Sequence, residues 1–310
     1  MASSGGALTA ISLYLLESGI VDGVIHTGAD TNYPLATKTH ISRTRNEVLA
    51  NIGSRYSISA PLMNLNEMIK EGEKYAFVGK PCDVAALKRY MSNIKDISDQ
   101  IVLTMSFFCA GMPSDVINKQ LVEAMGSSPE ELQSFRYRGN GWPGYTTAVD
   151  RKENTHQMTY ENAWGKYLGR DVNKVCRYCM DGIGEFADIA CADFWYLKED
   201  NTPDFSEHDG RNIIFCRNVF ANSILKAAAE SGYLHVENAE TEMQHFQDYQ
   251  PYQYRRRTTM KYQLLALKMF GRSSPRYNKR MLNTANTYAA KGANKSIFLG
   301  IVKRILKGRL

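Results

Sequence analysis

A chain of 310 residues with 44% hydrophobic and 23% charged residues can bury one large core or two modest ones, which excludes a disordered chain and a small disulfide-dependent scaffold. The formal net charge of +6 is uneven, with Arg255-Arg256-Arg257, Lys261 and most of the segment from Lys291 onward carrying the excess. That asymmetry suits an acidic partner, an anionic membrane surface or a solvated tail, and because the basic runs lie in no recognisable nucleic-acid-binding motif, no nucleic-acid partner is expected.

The chain opens with Ser3-Ser4-Gly5-Gly6 and then apolar residues at Leu8, Ile11, Leu15 and Leu16, a spacing that predicts a helix ending at Ser18-Gly19 before a short strand over residues 21–26. A small-residue turn at a helix N-terminus offers N–H groups to an anion such as a pyrophosphate, and serves equally well as a plain cap. The apolar run over residues 7–16 is too short to cross a bilayer and lacks the basic start of an export signal. A reducing cytoplasm is therefore expected, with the six cysteines (82, 109, 176, 179, 191 and 216) reduced or metal-bound.

Next, "ISRTRNEVLANIGSRY" predicts a helix ending near Gly53, and "LNEMIKEGEKYAFVG" a helix followed by a buried strand. That strand runs into Lys80-Pro81-Cys82 and a further helix, "DVAALKRYM". The unit repeats: "QIVLTMSFF" ends at Cys109, and "PSDVINKQLVEAMG" is a helix with proline near its start. A cysteine just past a strand sits at the open edge of an α/β sheet, where ligands usually bind.

Residues 132–171 change texture to β-like segments around "FRYRGNGWPGYTTAVD". Then follow Cys176-x-x-Cys179, a strand in "FADIACADFW", a polar loop over residues 201–209, the strand "NIIFCRNV" and the helix "SILKAAAESG". The expected fold class is α/β (α+β), a mixed sheet with flanking helices over residues 1–248, plus a basic, Tyr- and Arg-rich helical tail over 249–310. In that tail Ile297, Phe298, Ile301, Val302, Ile305 and Leu306 can share one helical face, with Lys303, Arg304 and Lys307 toward the other. The pattern fits peripheral contact with the inner face of the membrane, and it fits packing on the chain's own domain.

Cys82 and Cys109 at two strand ends, with Cys176 and Cys179, give four thiolates from three chain segments, a number that suits a tetrahedral zinc or a [4Fe–4S] cluster. Cys176-x-x-Cys179 precedes the glycine-containing "MDGIGE" rather than opening a helix after a strand, which argues against a thioredoxin-like dithiol. The residues alone leave cluster, zinc and unligated thiols open. Tyr160, His156 and Lys166 are available as general acids, but no spacing selects one, so no catalytic residue is assigned.

Five motifs in order, "SGGALTA", "GKPCDVAALK", "FFCAGMPS", "FRYRGNGWPG" and "CRYCMDGIGEFADIACADFW", resemble the coenzyme F420 hydrogenase/dehydrogenase beta subunit family, over roughly residues 3 to 235. The resemblance implies a cytoplasmic iron–sulfur flavoprotein with FAD and a [4Fe–4S] cluster, in which hydride chemistry at the flavin is coupled to one-electron transfer. Carried over residue by residue, it implies Cys82, Cys109, Cys176 and Cys179 as cluster ligands, with Cys191 and Cys216 left as core thiols. It places Ser4, Gly5 and Gly6 near FAD, and it adds Lys80, Arg138, Gly139, Trp142 and Asp193 to the cofactor site. Arg138 is expected to pair with phosphate or with the charge of a reduced flavin.

The motifs also depart from the family pattern. Lys80 and Asp83 stand where Thr and Gln are commoner, Ala192 replaces a usual Gly, and no CxxCxxC ferredoxin segment occurs. Either the electron donor is a separate protein, a ferredoxin or similar carrier, or a front segment is missing. An oligomer acting on a small-molecule substrate is expected. The tail does not resemble a hydrogenase docking segment, so the expectation leans toward a bacterial oxidoreductase associated with surface polysaccharide, with an F420-reducing hydrogenase or dehydrogenase beta subunit as the alternative. A third reading, of another class, is a non-catalytic protein whose thiolates hold zinc or a structural cluster.

Overall fold

The computed structural model describes residues 6–308. Its strands, in chain order, are β1 (Gly23–Ala29), β2 (Thr37–Ser42), β3 (Tyr75–Gly79), β4 (Ile101–Phe107), β5 (Leu132–Arg136), β6 (Thr146–Asp150), β7 (Thr155–Met158), β8 (Ile189–Asp193), the two-residue β9 (Tyr196–Leu197) and β10 (Pro203–Asp204), and β11 (Asn212–Cys216). Six of them form the main sheet in the order β11-β8-β4-β3-β1-β2. The inner four run parallel, and β2 and β11 close the two edges antiparallel. The result is the expected mixed sheet with flanking helices.

Alternation along the strands divides the core between the two faces. Val24, Ala76, Leu103, Met105, Ile189 and Cys191 face the Gly6–Glu17 and Val219–Glu230 helices, which contribute Leu8, Ile11, Leu15, Ala221 and Ile224. Ile25, Tyr75, Phe77 and Ile101 face the other way, onto Val84 and Leu87 of the Pro81–Met91 helix. Cys191 is 1% exposed in the first of these layers and Cys216 packs against it, so both are core thiols. A separate meander, β5-β6-β7, carries a smaller core of Phe135, Tyr137 and Ala148 with Leu121 of the Asp115–Ala124 helix.

Two stretches depart from expectation, and one of them is the part of the β-like region that is helical over Tyr160–Asn162 and Ala163–Leu168. In the other, the helix expected across "ISRTRNEVLANIGSRY" is confined to Arg45–Ala50, because Ile41 and Ser42 belong to the edge strand β2. Thr44 caps that helix, its hydroxyl accepting from Glu47 N–H while the Glu47 carboxylate accepts from Thr44 N–H.

The C-terminal segment is helical: Pro251–Met269, Lys279–Thr287 and Ala293–Leu306. These helices pack on the protein's own cysteine segment, with Met260, Leu267, Ile301 and Ile305 sharing a core with Tyr178 and Met180 and with the half-buried Phe298 and Val302 beside them. The apolar face that suited a membrane surface is therefore largely turned inward, and only Leu299 and Leu306 are large, exposed apolar residues on that last helix. No described helix is long and apolar enough to cross a membrane.

Candidate cofactor and metal site

Three of the four parallel strands deliver chemistry to the same carboxyl edge. After β3, Lys80 leads into Pro81 and Cys82 at the head of the Pro81–Met91 helix. After β4 comes Cys109, and β8 ends at Asp193. The Gly6–Glu17 helix starts beside this edge, since Ala7 N–H donates to Asn212 Oδ1 at 3.2 Å and Asn212 pairs with Asp193 across β11 and β8. Gly6 is thus brought to the site. Ser4 and Gly5 lie outside the described residues.

The second cysteine pair arrives through the loop after β4. Pro113 bridges to Val172, Asn173 N–H donates to Met112 O at 2.8 Å, and Cys109 N–H donates to Gly182 O at 2.9 Å. Gly111, with φ of 133°, lets that loop approach Cys176 closely, because a Cβ there would sit 3.3 Å from the Cys176 Cβ. A tight turn, Cys179 N–H to Cys176 O at 3.3 Å, holds the two cysteines of the pair close together.

The thiols influence one another electrostatically: Cys176 and Cys179 act on Cys82, and Cys176 and Cys82 act on Cys109. Burial pushes the Cys109 thiol up to about 12. Crowding by surrounding protein, helped by Asp83, pushes Cys82 up to about 11, although the residue keeps access to solvent. Burial also raises Cys179. Unligated, these groups are neutral thiols rather than nucleophiles, and a metal must displace their protons.

Among the described residues no three His, Cys, Asp or Glu side chains converge tightly enough to hold a single metal ion. Bonds of 2.3 Å to one tetrahedral zinc would draw the sulfurs to within about 4 Å of each other, so zinc would require the four thiols to close up. A four-iron cluster takes one thiolate at each of its separated corners, and the donor set, four soft sulfurs delivered from three segments to one sheet edge, suits it.

Beside the cysteines stands a buried charge network. Arg138, 1% exposed, donates from Nη1 to Asp193 Oδ2 at 2.8 Å and from Nε to Pro143 O at 2.9 Å. Burial works against its charge, but Asp193 more than offsets this and holds the guanidinium protonated above its ordinary range. Trp142, 3% exposed, donates its indole N–H to the other Asp193 oxygen at 3.1 Å and stacks on Trp195 at 4.7 Å between ring centroids. Glu207 accepts from the backbone N–H of Trp142 and Gly144 at 2.8 and 2.7 Å, tying down the turn that contains Gly139. Arg138, expected to meet phosphate or a reduced flavin, has its charge matched by Asp193 inside the protein, and its remaining buried Nη2 has no hydrogen-bond partner among the described residues. Lys80 is likewise engaged, with Asp83 at 2.7 Å and Ser59 Oγ at 2.5 Å.

Of the three candidate acids, Tyr160 alone joins this network, its ring 4.6 Å from the Arg138 guanidinium and stacked on Trp195. Burial raises its phenol well above the ordinary value, so it is a neutral proton holder at physiological pH. His156 lies away on β7, hydrogen-bonded to Asp150. The sequence reading missed Glu207, Gly182 and, from the C-terminal segment, Arg256 and Tyr277. Tyr277 donates to Tyr178 O at 2.7 Å and accepts from Met180 N–H at 3.3 Å, gripping the chain on either side of Cys179.

The family model for the C-terminal part of the coenzyme F420 hydrogenase/dehydrogenase beta subunit matches residues 72–242, and the model for its N-terminal part matches residues 1–66. The chain belongs to this family. Among its relatives, the coenzyme F420 hydrogenase subunit beta of Methanosarcina barkeri is 26% identical over 255 residues, 77% of each chain. The protein of the same name from Methanococcus voltae is 28% identical over 250 residues, 77% of this chain and 79% of that one. The F420-dependent formate dehydrogenase subunit beta of Methanocaldococcus jannaschii is 24% identical over 69% of this chain and 54% of its own length. In structure, the chain resembles one from the F420-reducing [NiFe] hydrogenase complex of Methanosarcina barkeri, with a TM-score of 0.62, 21% identity, and coverage of 90% of this chain and 91% of that one.

These relatives carry the names of oxidoreductase subunits, in agreement with the oxidoreductase expectation and with its F420 alternative in particular. The structural match also leaves fewer unmatched residues than the region 249–310 contains, so part of the C-terminal helical region shares the fold. That removes the reason for the polysaccharide lean, which rested on the tail looking foreign to such a protein.

Proposed function

We propose that the chain is the electron-carrying beta subunit of an F420-dependent oxidoreductase. In this reading Cys82, Cys109, Cys176 and Cys179 hold a [4Fe–4S] cluster, and FAD lies along the carboxyl edge of the sheet between the start of the Gly6–Glu17 helix and the Asp193 network. The observation that carries the reading is the delivery of four cysteines from three segments to the same sheet edge that receives this helix N-terminus. When bound, the cluster supplies single-electron transfer and the flavin supplies hydride chemistry.

The chain's own residues then have defined tasks. The helix start at Gly6 offers backbone N–H groups to a pyrophosphate. The Arg138–Asp193 pair and the Trp142–Trp195 stack form a rigid wall beside the site, and the Lys80–Asp83 pair fixes the entry to the Cys82 helix. The redox partner is a separate electron-transfer protein, and F420, a polyanion, is the hydride-exchanging substrate.

The test is anaerobic purification followed by absorbance, iron, sulfide and flavin analysis. Flavin bands with about four irons per chain, and reversible bleaching of F420 when the reduced protein is mixed with it, are the expected results. Zinc without flavin would overturn the redox reading. Iron and flavin without F420 turnover would overturn the substrate alone.

A further inference from the structure

Arg256 is 6% exposed, and among the described residues every acceptor of its guanidinium is a backbone carbonyl: Cys109 O at 2.8 Å, Cys176 O at 3.3 Å and Ala110 O at 3.3 Å. Its neighbours differ. Arg257 pairs with Glu185 at 3.0 Å, and Arg255 is exposed. Asp181, the carboxylate nearest in sequence to Cys179, accepts from Glu185 N–H at 2.8 Å and does not pair with Arg256. Tyr252 covers the guanidinium from one side at 5.0 Å. The protein also makes room for this group, since a Cβ on Gly182 would lie 1.8 Å from Arg256 Nη2.

A buried cation without an anion is costly, because neutral carbonyls replace only part of the lost hydration. The site facing Arg256 is the four-cysteine centre, two of whose members present the very carbonyls that bind it. We propose that Arg256 is the counter-charge of that centre, placed by the C-terminal helix to hold an anionic thiolate-ligated cluster and to raise its reduction potential. The proposal rests on the cluster reading above. A fixed positive charge in a site of low dielectric favours the more negative, reduced state of the cluster, so its removal makes reduction harder. Arg256 acts through the cysteines and is a positioning residue rather than a catalytic one.

The experiment compares wild type, Arg256→Gln, Arg256→Lys and Arg255→Gln as full chains after anaerobic reconstitution, with iron content measured alongside a dithionite redox titration followed by electron paramagnetic resonance. Arg255→Gln removes the same charge one residue away and at the surface. The expected result is wild-type iron with a reduced-to-oxidised ratio lowered at least tenfold at fixed potential in Arg256→Gln, a downward shift of about 59 mV for one electron, and little change in Arg255→Gln. Should Arg256→Gln lose its iron, Arg256→Lys decides: iron and potential retained with the charge support the proposal, and iron lost again assigns Arg256 to packing and overturns it. Wild-type potential in an iron-loaded Arg256→Gln also overturns it while leaving the cluster reading intact. A wild-type protein that takes up no iron removes both.

Discussion

Replacing Asp193 by Asn tests the reading of Arg138 as an internal charge rather than a free anion receptor. Asn keeps the shape and an acceptor for the Trp142 indole N–H, but it removes the only carboxylate, among the described residues, paired with a guanidinium whose side chain is 1% exposed. Breaking a buried pair by neutralising one partner costs about 3–5 kcal/mol, because the remaining charge cannot recover its hydration. An unfolding entropy of about 2.1 cal/mol/K per residue over 310 residues amounts to about 0.65 kcal/mol/K, so the loss corresponds to a fall in Tm of about 5–8 °C. Calorimetry together with urea unfolding at pH 7 measures both quantities. The paired replacement Arg138→Met with Asp193→Leu should recover much of the loss, since swapping both charges for apolar groups leaves none stranded. A Tm for Asp193→Asn within about 1 °C of wild type would refute the reasoning and imply that Arg138 reaches solvent or another anion.

Three further outcomes follow from other parts of the molecule. Gly182→Ala should displace the Arg256 guanidinium, since the new Cβ would occupy its place, and so lower the cluster potential in the same direction as Arg256→Gln; an unshifted redox titration counts against the close approach. His26, paired across β1 and β2 with His40, is held down at about 4 by burial and then by His40, so the unfolded chain takes up the proton first as pH falls. Its contribution is complete above about pH 6.5 and is lost toward pH 4, so the drop in urea-unfolding free energy from pH 7 to 4.5 should be about 2–3 kcal/mol smaller in His26→Gln. Truncation after Gly292 removes buried Ile301 and Ile305 with half-buried Phe298 and Val302, about 5 kcal/mol of apolar burial, and should sharply reduce hydrogen-exchange protection from Tyr178 through Met180. Unchanged protection there would show that the last helix does not support the cysteine segment.

What could be read in the sequence was what is local. "YAFVG" and "QIVLTMSFF" announced buried strands by their apolar runs, and Pro113 ahead of "SDVINKQL" announced a helix start, because both signals need only neighbours in the chain. The edge strand β2, "TKTHIS", lacked a clean alternation, and its end was absorbed into a helix that the Thr44–Glu47 capping box in fact delimits. The cysteine edge was legible because strand ends fix where Cys82 and Cys109 must lie. The partnership of Arg138 with Asp193 was not, since it joins residues 55 apart in sequence through the docking of the meander on the main sheet. Arg256 was hidden inside a run of three arginines that reads as surface charge. A usable signal was present, for Arg256, Thr259, Met260, Gln263 and Leu267 recur at helical spacing and form the buried face of their helix.

The C-terminal helices and the cysteines are energetically one unit. Without a metal, burial and crowding keep Cys82 and Cys109 as neutral thiols with values near 11 and 12, while Arg256 stays buried against carbonyls alone, so the site holds an unmatched positive charge. In the proposed reading, a cluster would displace the thiol protons and, as a thiolate-ligated anion, would supply the countercharge that the cation lacks, so its binding would improve both halves of the site at once. Ligands that bind only the folded state stabilise whatever structure forms their site, and here that structure includes the helix carrying Arg256 and, through Tyr277 and the shared core with Tyr178 and Met180, the two helices packed on it. Loss of the cluster should therefore loosen residues 251–306 before it loosens the central sheet, whose strands contact the centre only at their carboxyl ends.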